Sequence, residues 1–255
     1  EHPVVGGYTP ERVALRRAIS LAYSVEDEIR LVRKGQSIPA QSPVAPLVTG
    51  YDPAFVSEMS LTDRARARAL LDTFGYVDRD GDGWREQPDG SPLALEFTTE
   101  ASQLSRALNE VWQASFRDIG VRVNFRSATW QENIKASRAG KLMMWGFAWQ
   151  AGQPDSDLFF GLAYGPNLGS SNDARFGLQA YDALYAQQRR LPDGPERLAL
   201  LREASRLLVA YMPYKFIAHR IQLDLSQPWV LGFRRPLFTT RLWAYLDIDA
   251  TAPRG

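Results

Sequence analysis

One glycine, Gly120, is all that separates a helical pattern from a strand pattern, and this junction limits the possible folds more than any other feature of the chain. Upstream of it, Leu93, Leu95 and Phe97 alternate with Ala94, Glu96 and Thr98, the period of a half-buried strand. Ser102 then opens a helix carrying Leu104, Leu108, Val111, Trp112 and Ile119, which Gly120 stops. Val121, Val123 and Phe125 alternate again at once. A helix feeding a strand this directly fits a right-handed crossover between parallel strands. Thr129 and Glu132 form a capping box for another helix, ending at Gly140. Leu142 to Phe147 reads as a continuous apolar strand buried on both faces. The β-α-β-α-β pattern over 93–147 therefore predicts an α/β fold with a parallel sheet.

Outside that unit the periods are shorter. Thr9-Pro10-Glu11 places a capping hydroxyl before a proline at the first helical position, and Ser24 with Asp27 predicts a short helix ending near Arg33. Four prolines between Pro39 and Pro53 predict an extended loop. Thr62 is read as the cap of a helix through Phe74, closed by Gly75. Helical stretches at about 177–190 and 195–210 flank Leu191-Pro192-Asp193-Gly194-Pro195, and Tyr214 to His219 reads as a last strand. Beyond it, Trp229, Phe233, Phe238, Trp243 and Tyr245 have no clear period.

Composition narrows the chemistry. The 30 basic and 29 acidic residues leave a formal charge of +1, so no long-range field draws in a polyanion, and nucleic acid is not an expected partner. The absence of cysteine excludes disulfides, thiolate zinc sites, iron–sulfur clusters and cysteine nucleophiles. The two histidines, His2 and His219, lack zincin spacing, so no histidine metal site is expected. No G-x-S-x-G elbow, Walker A loop or G-x-G-x-x-G turn occurs, which predicts neither an enzyme nor a cofactor. No apolar run approaches the roughly 18 residues that suggest a membrane span. The start Glu1-His2-Pro3 has no initiator methionine and no apolar leader, so the chain reads as a piece of something longer.

Two segments carry candidate chemistry. Asp78-Arg79-Asp80-Gly81-Asp82-Gly83 fits the start of a calcium loop, with Asp89 at the twelfth position. A strand rather than a helix follows at Leu93, and a tight acidic turn accounts for the same residues; no metal ligand is assigned there. The second segment is Met143 to Asp155, where strand alternation sets Trp145, Phe147 and Trp149 on one face. They leave the carboxyl end of a parallel strand, where open α/β sheets bind ligands. Ending in Gln150 and a Gly/Pro loop through Asp155, this face reads as a binding wall or as core filling. Asp155 and Asp157, beside Pro154, read as caps of the following helix.

Taken in order, these pieces resemble the C-terminal half of bacterial extracytoplasmic solute-binding proteins of family 5, the oligopeptide/dipeptide-binding type that serves ABC transporters. The resemblance is carried by Val13 to Ile19, the proline-rich loop from Ile38 to Pro53, Ala65 to Tyr76 with the Asp-Gly turn, and Ile119-Gly120-Val121. Trp145 to Pro154 and Pro213-Tyr214 continue it. It implies one lobe of a periplasmic-binding-protein type II fold, a mixed sheet flanked by helices. Residues 1–7 would be a hinge remnant, 8–217 the solute-binding lobe, and 218–255 a tail returning to an N-terminal lobe outside this sequence. It also implies a periplasmic or lipid-anchored protein that captures a peptide-like or other small polar solute between two lobes and delivers it to an inner-membrane permease. Trp145, Phe147, Trp149, Gln150 and Asp155 would line the solute site. Where peptide binders carry an aspartate for the ligand's α-amino group, this sequence has Gln150, an amide that offers no charge to an ammonium. A calcium-stabilised module with no transport role, and a hydrolase, are the alternatives.

Overall fold

The computed structural model describes residues 2–238 and 241–252. Glu1 of the expected hinge remnant, and 239–240 and 253–255 of the expected tail, lie outside the described residues. The chain opens with helices α1 (Pro10–Ala22) and α2 (Val25–Asp27), a π-helical turn (Glu28–Val32), strand β1 (Ser37–Pro39) and helix α3 (Arg64–Thr73). Next come β2 (Ala94–Thr99), α4 (Gln103–Arg117), β3 (Arg122–Ser127), α5 (Trp130–Arg138) and β4 (Met144–Trp145). Helices α6 (Asp157–Gly161), α7 (Gln179–Gln188) and α8 (Pro195–Tyr211) follow, then β5 (Ala218–Arg220), β6 (Val230–Leu231) and β7 (Asp247–Ile248).

The predicted crossover unit is the centre of the fold. Strands β2, β3 and β4 form one parallel sheet in the order β3-β2-β4, with Phe97 opposite Phe125 and Met144, and Thr98 opposite Arg126 and Trp145. At the junction, Gly120 has φ +71°, and the Val121 N–H reaches back to the Phe116 carbonyl at 3.0 Å. This left-handed close turns the chain straight from helix into strand. Right-handed connections in this order put α4 and α5 on opposite faces of the sheet. The side chains agree: Phe97 meets Trp112 of α4 at 5.2 Å, while Trp145, in register with Thr98 on the other face, meets Trp130 of α5 at 5.6 Å. The predicted capping box holds as well, with the Glu132 N–H on Thr129 Oγ1 and the Thr129 N–H on the Glu132 carboxylate.

Antiparallel pairing occurs in two separate ladders, β1–β5 and β6–β7, so in place of the expected mixed sheet the described residues have a parallel three-stranded sheet with the antiparallel pairs apart from it. Three local expectations are corrected. The proline-rich region does contribute regular structure at its start, because Ser37–Pro39 pairs with Ala218–Arg220 and Pro39, at the strand's end, is spared the loss of an interior donor. The cap of α3 is Asp63, which accepts the Arg66 N–H at 2.8 Å; the Thr62 hydroxyl instead reaches Glu26 at 2.7 Å. The expected long strand 142–147 shrinks to Met144–Trp145, both half-buried, since β4 has a strand partner on one side alone among the described residues.

Two apolar cores form. One packs α1, α3 and α4 on the sheet around Leu15, Tyr23, Leu71, Leu95, Trp112 and Phe116, with the Tyr23 ring stacked 3.8 Å from Trp112. The other gathers α6, α7 and α8 with Val44 and Val48 of the proline-rich loop, around Phe160, Tyr181 and Leu201. Past β5 the exposure rises: Leu225 is 98% and Trp243 84% exposed, while Phe238 packs against the second core.

Lys215 ties the start of the last segment to the first core. Its ammonium donates to the Ser20 carbonyl at 2.8 Å, Ser20 Oγ at 3.2 Å and the Met59 carbonyl at 3.1 Å. All three are neutral acceptors, and burial pushes its pKa down from 10.5 to about 8. The unfolded chain therefore binds more protons than the folded one between those values, and stability rises with pH across that window by up to about 3 kcal/mol. Lys215→Met removes this contribution. Urea unfolding from pH 7.5 to 9.5 should show a less positive slope of stability against pH in the variant than in the native chain. Parallel curves would contradict the assignment.

Candidate functional site

The strand order reverses at β2: the chain leaves it for β3 on one side, then returns past it to β4 on the other. Such a reversal marks the carboxyl ends of β2 and β4 as the place where open α/β sheets form a ligand crevice. Trp145 is the last residue of β4, at that carboxyl edge. Its ring lies 4.4 Å from Phe147, which lies 5.5 Å from Trp149. The face predicted from alternation therefore exists as a run of touching rings, although regular strand geometry ends at Trp145.

Sequence reasoning missed a fourth member. Trp130 is the first residue of α5, with its ring 5.6 Å from Trp145 and 6.1 Å from Phe147. The signal was present: a helix whose capping box directly follows the end of β3 must start at the carboxyl edge of a parallel sheet. The array is graded in exposure, with Trp145 and Phe147 half-buried and Trp130 and Trp149 each 41% exposed. Four rings partly open to solvent, tilted 31 to 70° to one another, offer an uneven, polarizable surface against which an apolar or aromatic group can pack. Gln150 follows, exposed.

Asp155 is placed differently. Its carboxylate is gripped by both terminal nitrogens of Arg197, at 2.7 and 3.0 Å, and also accepts the Asp157 N–H at 2.7 Å. The hydrogen bond from Arg197 holds its pKa below the usual carboxylate range. The capping role expected of this pair of aspartates is not filled: the N-cap of α6 is Ser156, without a side-chain bond, and Asp155, one residue earlier, only closes a local turn onto the Asp157 N–H. Asp157 faces Gln188 and Arg189, each at 3.3 Å. A shallow cleft of about 410 Å³ opens beside the loop, lined by Gln153, Pro154, Asp155, Asp157, Arg189 and Arg197. A larger one, about 560 Å³, lies between the 52–58 loop and α8, but its lining charges are all paired: Asp52 with Arg202, Glu58 with Arg17 and Arg66 from outside it, and Arg206 with Glu203. The ring array, by contrast, is an open wall that would need a second surface to enclose a ligand.

The acidic turn gathers Asp78, Asp80, Asp82 and Glu86, with ligand atoms within 4.8 Å of one another. Asp89, expected at the twelfth position, stands outside the group and bonds the N–H and hydroxyl of Ser91. The other carboxylates bond the turn itself: Asp78 takes the Gly81 and Gly83 N–H groups, Glu86 takes that of Arg79, and Asp82 takes that of Trp84 and pairs with Arg122. Millimolar calcium is accordingly expected to leave the melting temperature unchanged. A calcium-dependent stabilisation of about 2.7 kcal/mol, the gain from a ligand at 100 times its dissociation constant, would contradict this.

Comparison with known proteins adds independent findings. Residues 9–171 match the family described as bacterial extracellular solute-binding proteins, family 5 Middle. The di/tripeptide-binding protein 2 of Pseudomonas aeruginosa is 28% identical over 239 residues, covering 92% of this chain and 42% of the relative. Heme-binding protein A of Haemophilus influenzae is 26% identical over 243 residues, covering 94% and 42%. Among solved structures, HbpA2 from Haemophilus parasuis superposes with a TM-score of 0.75 at 22% identity, over 94% of this chain and 46% of that one. The oligopeptide-binding protein AppA from Bacillus subtilis, solved with a nonapeptide, gives 0.81 at 16% identity, over 93% and 47%. The chain thus spans less than half the length of each of these proteins.

Proposed function

We propose, for a chain that belongs to the bacterial extracellular solute-binding proteins of family 5, that it supplies one lobe of a two-lobed binder whose closure traps a small solute for an ABC permease. The relatives are solute-binding proteins rather than enzymes, and no described helix is long and apolar enough to cross a membrane. On this reading the protein works outside the cytoplasm, periplasmic or lipid-anchored, and its partners are the solute, the permease and an N-terminal lobe of the same polypeptide.

The observation that carries the proposal is the run of rings Trp130, Trp145, Phe147 and Trp149 at the carboxyl edge of a parallel sheet. It has the placement of a ligand wall and only one side of an enclosure. Gln150 adds a hydrogen-bonding amide at its rim, and Asp155 fixes the loop from behind. Closure of two lobes by a hinge motion would supply the other wall. The tail beyond β5, with Leu223, Leu225, Trp243 and Tyr245 exposed, would pack on the second lobe. Relatives named for di- and tripeptides and for heme make these two classes the first solutes to try.

The test is calorimetry of this chain and of the two-lobed polypeptide against a panel of di- and tripeptides and heme. For whichever solute the longer polypeptide binds, the 255-residue chain should bind at least about 100-fold more weakly, a loss of about 2.7 kcal/mol. Equal affinities would place the whole site in this lobe and contradict the proposal. In the longer polypeptide Trp149→Ala should weaken binding by roughly threefold to tenfold, in line with about 0.5–1.5 kcal/mol for an aromatic pair.

A further inference from the structure

The loop that carries Phe147 and Trp149, two of the four rings, is held mainly by packing, with half-buried Ala151 against the second core. From Phe147 to Gln153 no hydrogen bond ties it to any other described residue. On one side it hangs from β4, paired over just two residues. On the other side it is pinned at two neighbouring points: the Pro154 carbonyl accepts the Thr49 N–H at 3.0 Å, and the Asp155 carboxylate lies in the fork of Arg197. Past that point the chain is rigid, with Ser156 fully buried and α6 packed into the second core.

Arg197 is built to be an anchor. Its side chain is 8% exposed, and it sits in the first turn of α8. Besides Asp155 it bonds Asp193 at 2.6 Å, one turn back, and Gln188 Oε1 at 2.9 Å, at the end of α7. Gln188, itself buried, passes its amide on to Asp157 at 3.3 Å. The guanidinium thus stands fixed to the α7–α8 hairpin and offers its remaining edge to the loop. A two-pronged pair sets both the distance and the orientation of Asp155, which a single-point contact cannot do.

We propose that Arg197, 48 positions after Trp149 in the sequence, is a positioning residue that sets where Trp149 and Gln150 stand beyond β4. It touches neither, and acts through Asp155 on a loop without internal bonds. Breaking the pair leaves the Pro154 carbonyl as the one hydrogen-bonded point near the loop's far end, with half-buried Ala151 against the second core as its remaining hold, so Trp149, whose one ring contact among the described residues is with Phe147, loses its defined orientation. The importance of that orientation for solute binding rests on the function proposed above; the mechanical claim does not, and it can be tested without any solute.

The measurement is fluorine NMR of the chain labelled with fluorotryptophan. The Trp149 resonance is assigned by its loss in Trp149→Phe, and that of Trp112, a buried core residue, by its loss in Trp112→Phe. Asp155→Ala and Arg197→Met should both move the Trp149 line toward the position of free fluorotryptophan, while the Trp112 line stays where it is. Asp155 is about one-third exposed, so its variant decides the matter if Arg197→Met fails to fold. An unmoved Trp149 line in Asp155→Ala would overturn the inference. So would Trp149 and Trp112 lines that move together, since the pair would then merely stabilise the lobe. If instead the Trp149 line moves as expected but solute affinity in the longer polypeptide is unchanged, the positioning stands and the binding wall has been wrongly located.

Discussion

Strand β2 bears the geometry of this lobe, because it pairs in parallel with β3 on one side and β4 on the other. A parallel pair cannot be closed by a hairpin and needs a crossover, and the fixed hand of crossovers sends α4 and α5 to opposite faces. The consequences follow in sequence. One face buries Leu95, Phe97, Trp112 and Phe116 as core. The other face, over Thr98, leaves Trp145 to meet Trp130 at the carboxyl edge. The rings meet there because both the end of β4 and the start of α5 reach the same edge.

The crossover unit was legible because its signals are local. The alternation at 93–98, the cap at Ser102, the Gly120 stop and the Thr129–Glu132 box each report the backbone of a few neighbouring residues, and each is found as read. Length of strand was not legible in the same way. The apolar run 142–147 has the composition of a buried strand, but strand length depends on a partner, and β4 has one on a single side among the described residues. The β1–β5 ladder joins residues some 180 positions apart and leaves no periodic trace at Ser37–Pro39. The ring array was half visible: alternation gives Trp145, Phe147 and Trp149, whereas Trp130 comes from a different element and is brought in by tertiary packing. Asp155 shows the same limit. Its type and position suggested a ligand contact or a cap, and nothing local points to Arg197, 42 residues on.

On the proposed function, charge placement sets what this wall can and cannot select. Asp155, the one carboxylate in the loop from Gly146 to Asp155, is already paired with Arg197, and Gln150 is an amide. On that reading, the wall would meet its solute with π surface and neutral hydrogen-bonding groups. Full charge recognition of an ammonium or carboxylate would have to come from outside this loop. That division of labour suits a site made of two lobes, in which one side stacks and the other discriminates, and it accommodates relatives named for solutes as unlike as tripeptides and heme.

The most direct test of the central claim is a crystal structure of the two-lobed polypeptide with its solute bound. If the ring array is the ligand wall, the solute lies in van der Waals contact, within about 4.0–4.5 Å, of the Phe147 and Trp149 rings, with the Asp155–Arg197 pair intact behind the loop. A solute seated elsewhere, for example in the cleft between the 52–58 loop and α8 with the ring array empty and facing solvent, would contradict it.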